Sequence, residues 1–150
     1  MATESPLTDP NPSDARLAWA LASAGTLPFL AGAADLLFLG GAWTASVQVY
    51  AAVIASFLCG VHWGAALLSA RRVRPAALLL ASNALALSAW LAAMLPASTG
   101  FVLFALLFAG LAGIDHLLAR ASVWPDWFWR LRMTITAVVV AACLLIGLLA

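Results

Sequence analysis

The chain has 150 residues, 65% of them hydrophobic and 9% charged, with a mean hydropathy of +1.06. That usage excludes an ordinary soluble domain and points to an integral membrane protein whose first partner is the lipid bilayer. Lysine is absent, and seven arginines against six acids leave a formal charge of +1, which excludes a basic face for nucleic acid.

Residues 1–14, MATESPLTDPNPSD, are predicted to form a disordered acidic and proline-rich tail ahead of a single domain, 15–150. No basic segment precedes the first apolar run, so that run reads as a retained span rather than a cleaved secretory signal. Five apolar runs follow, 15–39, 43–70, 75–95, 99–119 and 131–149. Each has roughly the 20 residues that cross about 30 Å of hydrocarbon. The expected fold is all-α, a bundle of five transmembrane helices. Pro28 removes a helical hydrogen bond and is predicted to kink the first span, with Gly25 and Thr26 accommodating the bend. Asp35 is expected to be solvated at the outer end of that span.

In the second span, Gln48, Ala55, His62 and Ser69 recur every seven residues, while Ser56, Gly60 and Gly64 recur every four on a nearly opposite stripe. The polar stripe needs protein or water, and the small one suits close helix packing, so this span is predicted to be central. His62 lies nine residues before Arg71, about 13 Å inside the boundary at 1.5 Å per residue. Asn83, in the third span, is equally far from the turn near Arg72 and is expected to bond to it. A structural His62 is the first reading. A substrate or proton path through His62, Asn83 and Asp115 is the second, and metal ligation comes last because His116 lies at another level. Neither a metal site nor a cofactor is expected. Cys59 and Cys143 stand in apolar runs and read as small buried hydrophobes.

Asp115, in the fourth span, is about one and a half turns inside the same boundary and requires a proton or a cation. Arg132 is the first candidate for a structural ion pair, then Arg130 or Arg16, and an active-site carboxylate is the alternative. WPDWFW predicts a short interfacial helix before the fifth span, with Trp124, Trp127 and Trp129 as anchors at headgroup level. Across five crossings, all seven arginines fall on one side, which places the N-terminus in the cytoplasm and the C-terminus in the periplasm.

No catalytic motif is present in the sequence, and an enzyme is not the favoured class. The first functional expectation is an accessory, assembly or scaffold subunit that packs against other integral membrane proteins. A small proton-linked carrier, or a binder of an apolar cofactor such as a quinone or porphyrin, is the alternative.

The blocks LASAGTLPFLAG, YAAVIASFLCGVHWG and IDHLLARASVWPDWFWRLRMTITAVV, in this order, resemble the transmembrane protein 69-like family, whose function is unknown. The specific elements are Ser56 through Gly64, Asp115, Pro125, Trp127, Leu131, Arg132 and Thr136. Cys59 stands where the family usually has glycine, which makes backbone contact there less close. The resemblance implies a five-helix protein of the bacterial inner membrane or of mitochondria and implies no activity.

Overall fold

A computed structural model describes residues 11–69 and 73–150. Among these residues six helices form: α1 (Pro12–Ala24), α2 (Leu27–Phe38), α3 (Thr44–Leu68), α4 (Pro75–Met94), α5 (Ala97–Arg120) and α6 (Asp126–Leu149). Taking α1 and α2 as one span, five segments among the described residues are long and apolar enough to cross a membrane. No strand occurs among the described residues. Most of the predicted tail lies outside the described residues, and the first helix already begins at Pro12, with the Asn11 side chain accepting from Ser13 N–H.

The first span is broken as Pro28 requires. Phe29 N–H turns to Thr26 C=O, and Thr26 Oγ1 donates to Ser23 C=O, so the helix restarts at Leu27. Gly25 C=O is freed by the break and accepts from Tyr50 Oη at 3.0 Å. A buried carbonyl without a partner would be costly, so Tyr50 of α3 holds the break in place.

Asp35 is not solvated. It is buried, and its Oδ2 accepts from Trp43 N–H at 2.8 Å, just ahead of the start of α3. The turn between them needs two residues at positive φ, supplied by Gly40 (φ 88°) and Gly41 (φ 78°). The far end of α4 is closed in a similar way. Gln48 Nε2 donates to Ala92 C=O and Leu95 C=O, both at 2.9 Å, satisfying carbonyls that the helix itself leaves open. Gly100 lies against that amide and against Ala92 C=O so closely that a Cβ would collide with both.

The large side chains of the core come mainly from α5 rather than from the second span. Phe101, Phe104, Phe108 and Leu111 are buried against Phe29 of α2 and Ile146 of α6, and Phe29 meets Phe108 edge-on at 5.8 Å. α3 contributes mostly small residues to this core, Ala51, Ala55 and Cys59 among them, and packs against α2, α4 and α5. A second cluster, Ala65, Ala66, Leu78, Leu118 and Val123, gathers the end of α3, the start of α4 and the α5–α6 turn. It marks the arginine-bearing end of the bundle, with Arg74, Arg120, Arg130 and Arg132 on the adjoining helix ends. Arg71 and Arg72 lie outside the described residues.

WPDWFW does not make a separate helix. Asp126 opens α6, and Trp127, Phe128 and Trp129 form the first turn of one continuous 24-residue helix. With Pro125 just ahead of it and no breaker behind, nothing interrupts the hydrogen-bond ladder between this segment and the span.

Candidate functional site

Four polar side chains converge near the arginine end. Asp115 Oδ2 meets Arg132 Nε and Nη2, each at 2.7 Å. Its Oδ1 lies 2.9 Å from His62 Nε2 and accepts from Trp124 Nε1–H at 3.2 Å. Asp115 and His62 are both 0% exposed, and the Arg132 side chain is 11% exposed. The carboxylate acts as acceptor throughout, so His62 donates from Nε2 and its basic nitrogen is Nδ1. Nδ1 is buried and has no hydrogen-bond partner among the described residues.

Helix ends explain why these groups meet. His62 is six residues before Leu68, where α3 stops, and Asp115 is five before Arg120, where α5 stops. The two helices end together around the second apolar cluster, so the side chains stand at one level. Trp124 reaches back from the α5–α6 turn, where Ser122 adopts φ 55°, and Arg132 enters from the second turn of α6.

Asn83 does not join them. It is exposed on α4, and its Nδ2 donates to Leu79 C=O one turn back at 2.9 Å. The buried face of α4 is Leu78, Ser82, Ala89 and Ala92, which turns Asn83 outward beside Leu80, Leu87 and Trp90. A polar path through His62, Asn83 and Asp115 is therefore broken at its middle member.

The small stripe of α3 also faces away from the bundle. Ser56 and Gly60 are exposed, and a Cβ placed on Gly60 or Gly64 meets nothing within 4 Å. The opposite stripe, with Gln48, Ala55 and His62, is the buried one.

Of the tryptophans read as anchors, Trp124 is a donor to Asp115, which residue type alone does not reveal. Trp129 packs on His116 with ring centroids 5.1 Å apart, and Trp127 lies edge-on to Phe128. Trp127 Nε1 is buried without a partner among the described residues. Among the described residues, no three His, Cys, Asp or Glu side chains cluster as metal ligands would.

Beside the polar cluster lies a cavity of about 580 Å³ between α1, α3 and α6. α1 buries no residue and leans chiefly on α6, which leaves this space open along its inner side. The walls are apolar, with Leu21, Phe29, Ile54, Leu58, Phe108 and Ile135 among them. Tyr50 and Gly25 line one end, Phe128 and Arg132 the other, and Thr136 stands one turn beyond Arg132. Arg132 is thus both a wall of the cavity and a partner of the buried carboxylate. Sequence periodicity carries no signal for this space, because it arises from loose packing of α1.

The family described as "Protein of unknown function (DUF3429)" matches residues 15–149, and the chain belongs to it. No match was found among curated proteins or among solved structures.

Proposed function

We propose that this DUF3429 protein is a multi-pass membrane protein that holds an apolar small molecule in the cavity between α1, α3 and α6. The observation that carries this reading is an apolar space of about 580 Å³ whose wall, among the described residues, carries a single charged residue, Arg132. Small-molecule sites commonly measure roughly 300 to 1,000 Å³ and combine apolar walls with a few fixed polar groups. Arg132 is fixed by Asp115, which His62 and Trp124 hold in turn, so the polar contact is preorganised.

Among the described residues the lining includes no His, Cys or Met, and the Tyr50 hydroxyl is engaged by Gly25 C=O, which favours a lipid-like or quinone-like molecule over a porphyrin held through iron. Solvent extraction and mass spectrometry of protein purified in mild detergent tests the reading. A defined molecule should accompany the native chain and be lost from Ala22→Trp, which fills the cavity at α1. Recovery of the same molecule from the filled variant would overturn it.

The arginine end is assigned to the cytoplasm and Ala150 to the periplasm of a bacterial inner membrane. Support comes from the one-sided arginines. Reporters active only outside the membrane should work at Ala150 and fail at Ser122, and a signal from Ser122 would reverse the assignment.

A second reading, an accessory subunit packed against another membrane protein, is favoured by Asn83. Its amide faces outward near the middle of α4, where lipid offers no hydrogen-bond partner. Asn83→Leu should release co-purifying membrane proteins, and an unchanged set would remove this reading.

A further inference from the structure

We infer that the occupant of the cavity is a single-chain amphiphile whose anionic head, a carboxylate or a phosphate, meets Arg132 while its hydrocarbon chain runs toward Tyr50. The inference rests on the cavity being a binding site and specifies what the site selects.

Polarity within the cavity is one-sided. Arg132 stands at the end bearing the start of α6, and Tyr50, at the other end, spends its hydroxyl hydrogen on Gly25 C=O. Between Tyr50 and Val61 the cavity follows α3 for eleven residues, about 16 Å at 1.5 Å per residue. An elongated molecule with one polar end fits this shape, whereas one polar at both ends would leave a group unpaired beside Tyr50.

Arg132 has donors to offer. Its Nε–H and one Nη2–H go to Asp115 Oδ2 along one edge of the guanidinium. The opposite edge, Nη1 with the second Nη2–H, is a planar fork that suits two oxygens of a carboxylate or phosphate. Asp115 holds the fork in place, so Asp115, His62 and Trp124 are positioning residues.

Charge at this end favours an anion. Among the described residues it carries Arg16, Arg74, Arg120, Arg130 and Arg132 against Asp14, Asp115 and Asp126. Head and chain would then point as they do in a lipid of the adjacent leaflet, so the molecule can enter sideways past α1 without turning over.

The volume suits a molecule of one chain. At about 30 Å³ per water-sized group, 580 Å³ holds roughly 20 such groups, close to one long acyl chain with its head. The head must also supply the selectivity. Bilayer hydrocarbon is already as apolar as the cavity wall, so moving the chain from lipid into the cavity gains little, whereas the charge-assisted bonds to Arg132 have no equivalent in lipid.

The test measures equilibrium binding to the full chain in phosphatidylcholine nanodiscs, using hexadecanoic acid, its alcohol hexadecanol, single-chain hexadecanoyl lysophosphatidate and two-chain dihexadecanoyl phosphatidate. The acid or the lysophosphatidate should bind roughly 10- to 100-fold more tightly than the alcohol, as charged hydrogen bonds require, and the two-chain lipid should bind more weakly than its single-chain counterpart. Whichever of the two anions binds more tightly identifies the source of the head. In the double variant Asp115→Asn/Arg132→Gln, which leaves no unpaired buried charge, the preference for the anion should vanish while hexadecanol still binds.

Binding of both the acid and the lysophosphatidate no tighter than the alcohol by the native chain overturns the head assignment and leaves the cavity reading standing. Binding of none of the four overturns the amphiphile assignment, and the extraction comparison with Ala22→Trp decides the cavity reading separately. The comparison of heads on the native chain decides the matter even where the double variant fails to fold.

Discussion

His62 Nε2 and Asp115 Oδ1, 53 residues apart in sequence, stand 2.9 Å from one another in a fully buried setting. The contact ties α3 to α5, and Asp115 passes the tie to α6 through Arg132 and to the α5–α6 turn through Trp124. One carboxylate therefore joins three helices and a turn at the arginine end. Low dielectric makes such a network strong when complete and costly when any member is missing.

The first consequence concerns the ion pair. Removing one member of a buried pair leaves an uncompensated charge, at a cost of roughly 3 to 5 kcal/mol, while removing both is milder. Asp115→Asn should lower the melting temperature in detergent more than Asp115→Asn/Arg132→Gln does, because in the double variant the guanidinium is gone as well. Simple additivity of the two single losses would count against coupling between them.

The Asp115–Arg132 pair is legible in the sequence because a carboxylate inside an apolar run requires a cation within reach, and Arg132 opens the next span. The break at Pro28 is legible for the equally local reason that proline cannot donate. His62–Asp115 is not, because depth is counted from the charges at Arg71 and Arg120, whereas α3 stops at Leu68. Three residues of offset, about 4.5 Å, are enough to separate two groups that share one level. Asn83 fails for another reason. α4 is nearly uniformly apolar, so its periodicity does not say which face turns inward, and the neighbours decide. Asp35 looks like an interfacial acid until the two glycines fold the chain back and bring Trp43 N–H onto its side chain.

At the opposite end of the bundle, Gln48 and Gly100 depend on each other. A methyl group at position 100 would collide with Gln48 Nε2 and with Ala92 C=O, the very atoms that bond each other. Gly100→Ala should therefore cost roughly 1 to 3 kcal/mol through overpacking. In a Gln48→Ala background the amide is already absent, so the added loss from Gly100→Ala should be smaller, as thermal unfolding of the four variants would show. Equal losses in both backgrounds would refute the link.

Asp35 offers a test of capping inside the membrane. Asp35→Asn keeps an oxygen to accept from Trp43 N–H but loses the negative charge at the start of α3, while Asp35→Ala leaves the N–H without its partner. Alanine should cost about 1 to 2 kcal/mol and asparagine a fraction of that. Equal thermal stability of the alanine variant and the native chain would show that the turn holds without this bond.

The last prediction separates the two things His62 can do. As a donor to Asp115, it is one of several, since Arg132 and Trp124 also bind the carboxylate. His62→Gln carries an N–H that can replace Nε2–H, so fold and ligand binding should largely persist. His62→Leu removes a donor from a buried carboxylate and should cost roughly 1 to 2 kcal/mol, with weaker hold on Arg132 and hence weaker anion binding. If His62 instead works through its basic Nδ1, which has no partner among the described residues, glutamine and leucine should be equally damaging, because neither side chain takes up or gives up a proton near neutral pH. The comparison needs abundance, melting temperature and ligand binding measured on the same preparations. Loss of binding or of a growth phenotype in His62→Gln, at native abundance and native melting temperature, would sink the positioning role and assign His62 a proton-handling one.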